Sequence, residues 1–320
     1  MTLDIGERRS IRKAFGNALL AMGRENADIV VMDADLAEST QTAIFAKEFP
    51  DRFFDMGIAE QDMISTAAGL AAVGKIPFVA SFAMFATGRT YDQIRNSVCY
   101  PEFNVKIIGT HGGITVGEDG ATHQALEDIS LMRSIPNMTV LVPADCLECE
   151  EMAKFAVENN GPMYMRVPRT NVPDIFPKDY DFDFCKAQVL QEGTDVTVIT
   201  NGETLAEVIQ AANMLEKEGY SIQIIHVPVV KPLDDVTIIE KTKQTKFVIT
   251  VENHSIIGGL GSSICEILSQ YYPMPVIRLG INDTFGQSGK WDELLEYYGL
   301  SANKLAKTIK HQVDKFRLVK

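Results

Sequence analysis

The chain has 320 residues, 46% of them hydrophobic and 23% charged, with a formal net charge of −13 at pH 7. That balance belongs to a folded protein with material for two cores, and it excludes a disordered chain or a small disulfide-stapled one. The negative excess repels nucleic-acid phosphates and finds nothing to attract it at an anionic membrane surface, so neither is expected as a partner.

No run of about 18 apolar residues could span a bilayer, and the start "MTLDIGERRSIRKAF" has no apolar signal core. Five cysteines are an odd number, which speaks against a disulfide framework and for a reducing compartment. A cytoplasmic location is the expectation.

Along the chain, short β-branched runs alternate with helical patterns. Helices are predicted near 8–24, 59–73, 88–98 and 145–160, and strands at "DIVVMDADL", "IPFVASF", "VKIIGTHGG", "MTVLVP" and "PMYMRVPR". Strands without polar alternation are buried on both faces, so this half is predicted to be a parallel sheet flanked by helices. From Pro168 to Cys185, "PRTNVPDIFPKDYDFDFC" reads as a surface linker. Alternation resumes with "DVTVITNG", "SIQIIHVPVV", "KFVITVENH" and "MPVIRLGI", separated by helical stretches. The expectation is two parallel-sheet α/β domains, 1–175 and a smaller 186–320, joined by a linker at 176–185.

The residues that could carry chemistry fall mainly in the first half. Glu60 opens the run "EQDMISTAAGLAAVG", whose small and apolar residues predict a buried helix and a buried carboxylate with it. Such a group must be paired or protonated, and burial is how enzymes obtain a neutral acid at pH 7. Phe82 and Phe85 in "SFAMFATGR" share one side of a helical turn, a spacing more common in cores than in cofactor shelves. In "THGGITVGEDGATHQ", a strand ends at His111 and a glycine-rich loop carries Asp119 and His123, where open α/β sheets bind ligands. Those three side chains could supply zinc by residue type, but their spacing matches no usual metal signature. Cys146 and Cys149 form a lone CxxC that reads as two buried thiols one turn apart. "GGLGSS" at 258–263 is similar to a dinucleotide-binding glycine turn, yet Ile264 stands where its third glycine is needed.

Taken in order, "RKAFGNAL", "DADLAEST", "MGIAEQDM", "SFAMFATGR", "GEDGATHQ", "VPRTNVP", "ENHSIIGGLGS" and "DTFGQSG" resemble the C-terminal half of a transketolase. The resemblance runs over nearly the whole chain and implies a pyrimidine-binding domain followed by the transketolase C-terminal domain. It also implies thiamine diphosphate as cofactor. Glu60 matches the glutamate that hydrogen-bonds the pyrimidine N1′ and drives the 4′-amino group to its imino tautomer, which takes the proton from C2. Phe85 matches the ring stacked on the pyrimidine, with Phe82 beside it, and Ile58 and Asp35 are implied to lie near the cofactor. Arg12, Ser39 and Arg169 match the positions that hold the sugar phosphate, with His111 in the same channel. Asp119 and His123 match the groups that read the donor's hydroxyls and assist proton transfer.

Two departures accompany this resemblance. Gly88 stands where the family often has a third aromatic, and the GDG followed some residues later by asparagine, which binds Mg2+ and the diphosphate, is missing. The expectation is therefore a partner subunit carrying that motif and most of the Mg2+ site, in an assembly of two copies of each chain. A chain by itself is expected to dimerise or associate weakly and to lack activity. The expected reaction moves a two-carbon ketol unit between phosphorylated sugars. Its alternatives are the β subunit of a 2-oxo acid dehydrogenase, an enzyme similar to 1-deoxyxylulose-5-phosphate synthase, and a non-catalytic regulatory subunit.

Overall fold

A computed structural model describes residues 5–184 and 186–318. Two mostly parallel sheets form the frame. In spatial order the larger one runs Val229–Lys231, Thr139–Leu141, Met163–Val167, Lys106–Thr110, Ile76–Phe82, Ile29–Asp33, Phe53–Asp55. Its inner strands are buried almost from end to end, as strands without polar alternation between two helical layers require. Helices Ile11–Glu25 and Cys146–Glu158 cover one face with Phe15, Leu19, Met152 and Ala153. Their starts are fixed by Ser10, whose Oγ accepts from Lys13 N, and by Asp145, whose carboxylate accepts from Glu148 N at 2.9 Å. Met63, Ile64, Ala67, Ile94 and Met132 cover the other face. Each of the larger of these side chains, fully buried, stabilises the fold by about 2 kcal/mol before entropy is counted.

The second sheet runs Val276–Ile281, Val248–Ser255, Val196–Thr200, Ile222–His226, Gln188–Gln191, with only the last strand antiparallel. Helices Thr204–Glu216 and Ala302–Leu318 pack on it through Leu205, Ile209, Leu305 and Ile309. That core also takes in Ile114 and Leu126 from the first half, so the two halves share apolar packing.

Three expectations are revised. "SIQIIHVPVV" is not one strand: Ile222–His226 lies in the second sheet, whereas Val229–Lys231 pairs antiparallel with Thr139–Leu141 at the edge of the first. The helix near 88–98 is instead π-helical at Met84–Arg89 and Ile94–Cys99, with a short α-turn at Tyr91–Gln93 between them. Helix Glu60–Ala72 buries one face only, because Gln61, Asp62, Ser65, Thr66 and Gly69 are exposed. The segment read as a surface linker is fastened to its neighbours. Val172–Pro173 pairs with Arg8–Arg9, Tyr180 donates to Glu148 Oε1 at 2.8 Å, and Phe184 stacks on Phe155. Cys185 itself lies outside the described residues. Among the described residues, no helix is long and apolar enough to cross a membrane.

Candidate active site

The carboxyl ends of the parallel strands of the larger sheet deliver most of the sequence candidates to one region. Glu60 begins its helix 2% exposed and is paired: Arg89 Nη1 lies 2.9 Å from both carboxylate oxygens. The sequence reading left pairing and protonation open, and the structure answers with an ion pair. Arg89 and Phe85 sit on the π-helical turn, with the Arg89 guanidinium 4.7 Å over the Phe85 ring. Arg89 thus links Glu60 to the aromatic shelf, and a sequence search built on carboxylates and aromatics passes it by.

The shelf continues inward. Phe82 and Phe85 stack at 6.0 Å between ring centroids, Phe82 and His111 at 3.8 Å, and His123 meets the Phe85 edge at 5.3 Å. Four predicted residues from three segments therefore form one wall. His111 is buried with φ +59, a left-handed conformation that costs a non-glycine residue about 1–3 kcal/mol and is held here by its surroundings. Burial, reinforced by Arg12, Arg169 and His123, pushes its pKa down to about 3, so the ring is neutral at physiological pH. Its Nδ1 lies 2.9 Å from Thr110 Oγ1. His123 Nδ1 makes the same approach to Thr122 Oγ1, and Asp119 stands exposed at the end of the preceding 3-10 turn.

Beyond His111 lies a cavity of about 450 Å³ lined by Arg8, Arg12, Thr115, Glu118, Arg169 and Trp291, with Thr170 and Asn171. Arg12 donates to the carbonyls of Ser39 and Arg169, and its Nε is buried without a hydrogen-bond partner among the described residues. Burial and the neighbouring Arg169 charge lower its pKa. Arg169 donates to the Val116 carbonyl and lies 3.0 Å from Glu118 Oε2. Two guanidiniums that repel each other, with a spare buried donor, are a site for an anion. Ser39 is brought to Arg12 through its backbone carbonyl.

The supporting shell was not read from the sequence. Buried Asp33 accepts from Leu36 N, Thr40 Oγ1 and Thr42 Oγ1 at 2.7 to 2.8 Å, shaping the loop that carries Asp35 and Ser39. Asp35 is exposed with φ +62, and Ile58 is 76% exposed beside buried Glu60. From the second half, Glu203 accepts from Thr115 Oγ1 at 2.8 Å, Thr170 Oγ1 at 3.1 Å and Asn253 Nδ2 at 2.6 Å, tying both cavity loops to the smaller sheet. Burial raises the pKa of Glu203, although those three hydrogen bonds oppose it. Gly113 needs its φ of +77, and a Cβ there would meet Asn253 Nδ2 at 2.3 Å.

The remaining motifs find structural work. In "GGLGSS" the amides of Leu260 and Gly261 donate to Glu252 at 2.7 and 2.8 Å, so the protein's own carboxylate fills the anion position at this helix start. Cys146 and Cys149 are buried free thiols, and burial raises both pKa values, that of Cys146 to about 12. No group of three or more His, Cys, Asp or Glu side chains is placed to hold a metal ion among the described residues. For an aminopyrimidine the donor set fits: a buried carboxylate faces the region of a partly exposed phenylalanine, and apolar Ile58 is open beside them.

Residues 7–174 match the family model for the transketolase pyrimidine-binding domain, and residues 185–305 match the one for the transketolase C-terminal domain. A protein of Methanocaldococcus jannaschii described as a transketolase C-terminal section is 48% identical over 313 residues, covering 97% of this chain and 98% of its own. The 6-deoxy-6-sulfo-D-fructose transketolase subunit of Clostridium sp. (strain MSTE9) is 39% identical over 307 residues, covering 96% and 95%. Among solved structures, a split gene transketolase described as an inactive beta4 tetramer superposes with a TM-score of 0.88 at 48% identity, covering 95% of this chain and 98% of that one.

Proposed function

The chain belongs to the transketolase family, and from that premise we propose that it is the C-terminal subunit of a two-chain transketolase that moves a two-carbon ketol unit from a ketose phosphate to an aldose phosphate. The carrying observation is the run of contacts from Glu60 through Arg89, Phe85 and Phe82 to His111, which feels the charges of Arg12 and Arg169 in the lining of the neighbouring cavity. It sets a proton-handling carboxylate, a ring-stacking wall and an anion site along one path.

Thiamine diphosphate, when bound, supplies a nucleophilic carbon that makes and breaks the bond beside a ketose carbonyl. Glu60 holds a proton at the pyrimidine N1′ from a setting that excludes water, with Arg89 fixing the orientation of its carboxylate. Partly exposed Phe85 presents the aromatic surface for the ring with buried Phe82 behind it, and Ile58 and Asp35 border it. Neutral His111 donates or accepts a hydrogen bond at a sugar hydroxyl without adding charge, and His123 and Asp119 handle the hydroxyls of the donor. Arg12, Arg169 and Ser39 anchor the phosphate. The diphosphate and Mg2+ fall to a partner subunit carrying the GDG and asparagine motif, in a cytoplasmic assembly of two copies of each chain. Support for a separate partner comes from the relatives that are single sections or subunits over almost their entire lengths.

The test is reconstitution with a polypeptide carrying that motif, in thiamine diphosphate and Mg2+. Ketol transfer from xylulose 5-phosphate to ribose 5-phosphate is expected, and Glu60→Gln is expected to reduce it at least a hundredfold, a typical loss for a proton-transfer group, while the complex still assembles. Turnover of pyruvate instead, or near-normal transfer by the variant, overturns the assignment. So does ketol transfer by this chain alone, which is expected to be inactive.

A further inference from the structure

Arg8 and Trp291 line the cavity opposite the arginines named by the family resemblance, and they come from opposite halves of the chain. Arg8 lies on the two-residue strand Arg8–Arg9 that pairs with Val172–Pro173, directly after the Arg169 turn. Its guanidinium stands 4.7 Å over the ring of Trp291, the only tryptophan in the sequence. Nη1 donates to the Asn171 carbonyl at 3.1 Å, and Nη2 is 3.6 Å from Glu207. A guanidinium has five N–H donors, and these contacts leave it with donors to spare.

The charged side chains that line the cavity are three arginines, Arg8, Arg12 and Arg169, against Glu118. Glu207 lies 3.6 Å from Arg8, and Glu203 holds Thr115 and Thr170 from behind, so both touch the lining without being part of it. Without Arg8 the lining has two guanidiniums against one carboxylate; Arg8 raises that excess by one in a chain whose total is −13, which favours a dianion over a monoanion.

We propose that Arg8, held over the ring of Trp291, is the third guanidinium of the anion site and selects a dianionic phosphate tail over a monoanionic sulfonate one. This rests on the cavity being the substrate's anion site, and it gives the C-terminal half a part in specificity through one side chain. The related subunit named for a sulfo-sugar shows that sulfonate-bearing substrates exist within the family.

Methyl phosphate, a dianion at pH 8 because its second pKa is near 6, and methanesulfonate, a monoanion, each present three terminal oxygens on a tetrahedral centre and differ in charge and in one bridging oxygen. Each is titrated into the full chain by calorimetry and by the fluorescence of Trp291. Methyl phosphate is expected to bind about tenfold or more tightly than methanesulfonate, the worth of one added charge-assisted hydrogen bond. Arg8→Gln is expected to bring the two within about twofold, Arg8→Lys to restore part of the preference, and Arg12→Gln to weaken both probes. If Arg8→Gln, with its circular dichroism unchanged, keeps the full preference while Arg12→Gln loses binding, Arg8 has no such part and the anion site stands. If the unaltered chain binds neither probe, the anion site itself fails and Arg8's role with it.

Discussion

A carboxylate that is 2% exposed cannot be left alone, and Arg89, itself half exposed, is what makes Glu60 tenable. Arg89→Met strands that charge, so a loss of about 1–3 kcal/mol in urea unfolding is expected, whereas Glu60→Gln, which needs no counter-ion, loses less. A double variant should cost less than the sum of the two, since each removes the same pair. His111 makes a second residue-scale statement. Its folded pKa of about 3 lies below the unfolded value near 6.5, so the unfolded chain binds the extra proton between them. The stability that neutral His111 permits is complete above pH 6.5 and lost as pH falls toward 3. His111→Gln should therefore flatten the fall of melting temperature between pH 6.5 and 4, measured against the unaltered chain.

At the scale of elements, local pattern and local strain account for what the sequence revealed. Strands without polar alternation announced the parallel sheets, and the glycines at 112–120 announced a binding loop. The π-helical turn at Met84–Arg89 gave no such signal, because its widened hydrogen-bond ring depends on packing against helix Glu60–Ala72 and strand Ile76–Phe82 rather than on residue type. Gly88 lies on that turn, with Met84 Cε 3.1 Å from where its Cβ would be, so Met84 crowds the place of the family's third aromatic. Arg8, Arg89, Glu203 and Trp291 escaped notice for a related reason: each acquires its role through a contact distant in sequence, which spacing cannot report. The loop itself is testable. Gly113→Ala introduces both a strained φ and a clash with Asn253, and should lower stability by more than about 1 kcal/mol while distorting His111. A shift in the His111 NMR signal, together with the lower melting temperature, would register both effects.

Over the whole molecule, the two halves are bound by more than a linker. Strand Val229–Lys231 closes an edge of the larger sheet, Ile114 and Leu126 enter the second core, and Glu203 grips Thr115 and Thr170. Calorimetry should accordingly show one unfolding transition, and residues 1–175 expressed alone should aggregate, since the Thr139–Leu141 edge would be bare. Two separate transitions would mean that these contacts contribute little. Sequence periodicity found both sheets but not this exchange, because a three-residue strand leaving its own sheet looks like the tail of the strand before it.

That lent strand also constrains how such chains can be recombined. A chimera joined within 176–185 would carry a donor's residues 229–231 against a host's edge strand, pairing backbones that were never selected together. Exchange between relatives is therefore expected to succeed when the Thr139–Leu141 strand travels with the second half, so the unit of inheritance is discontinuous in sequence although continuous in space.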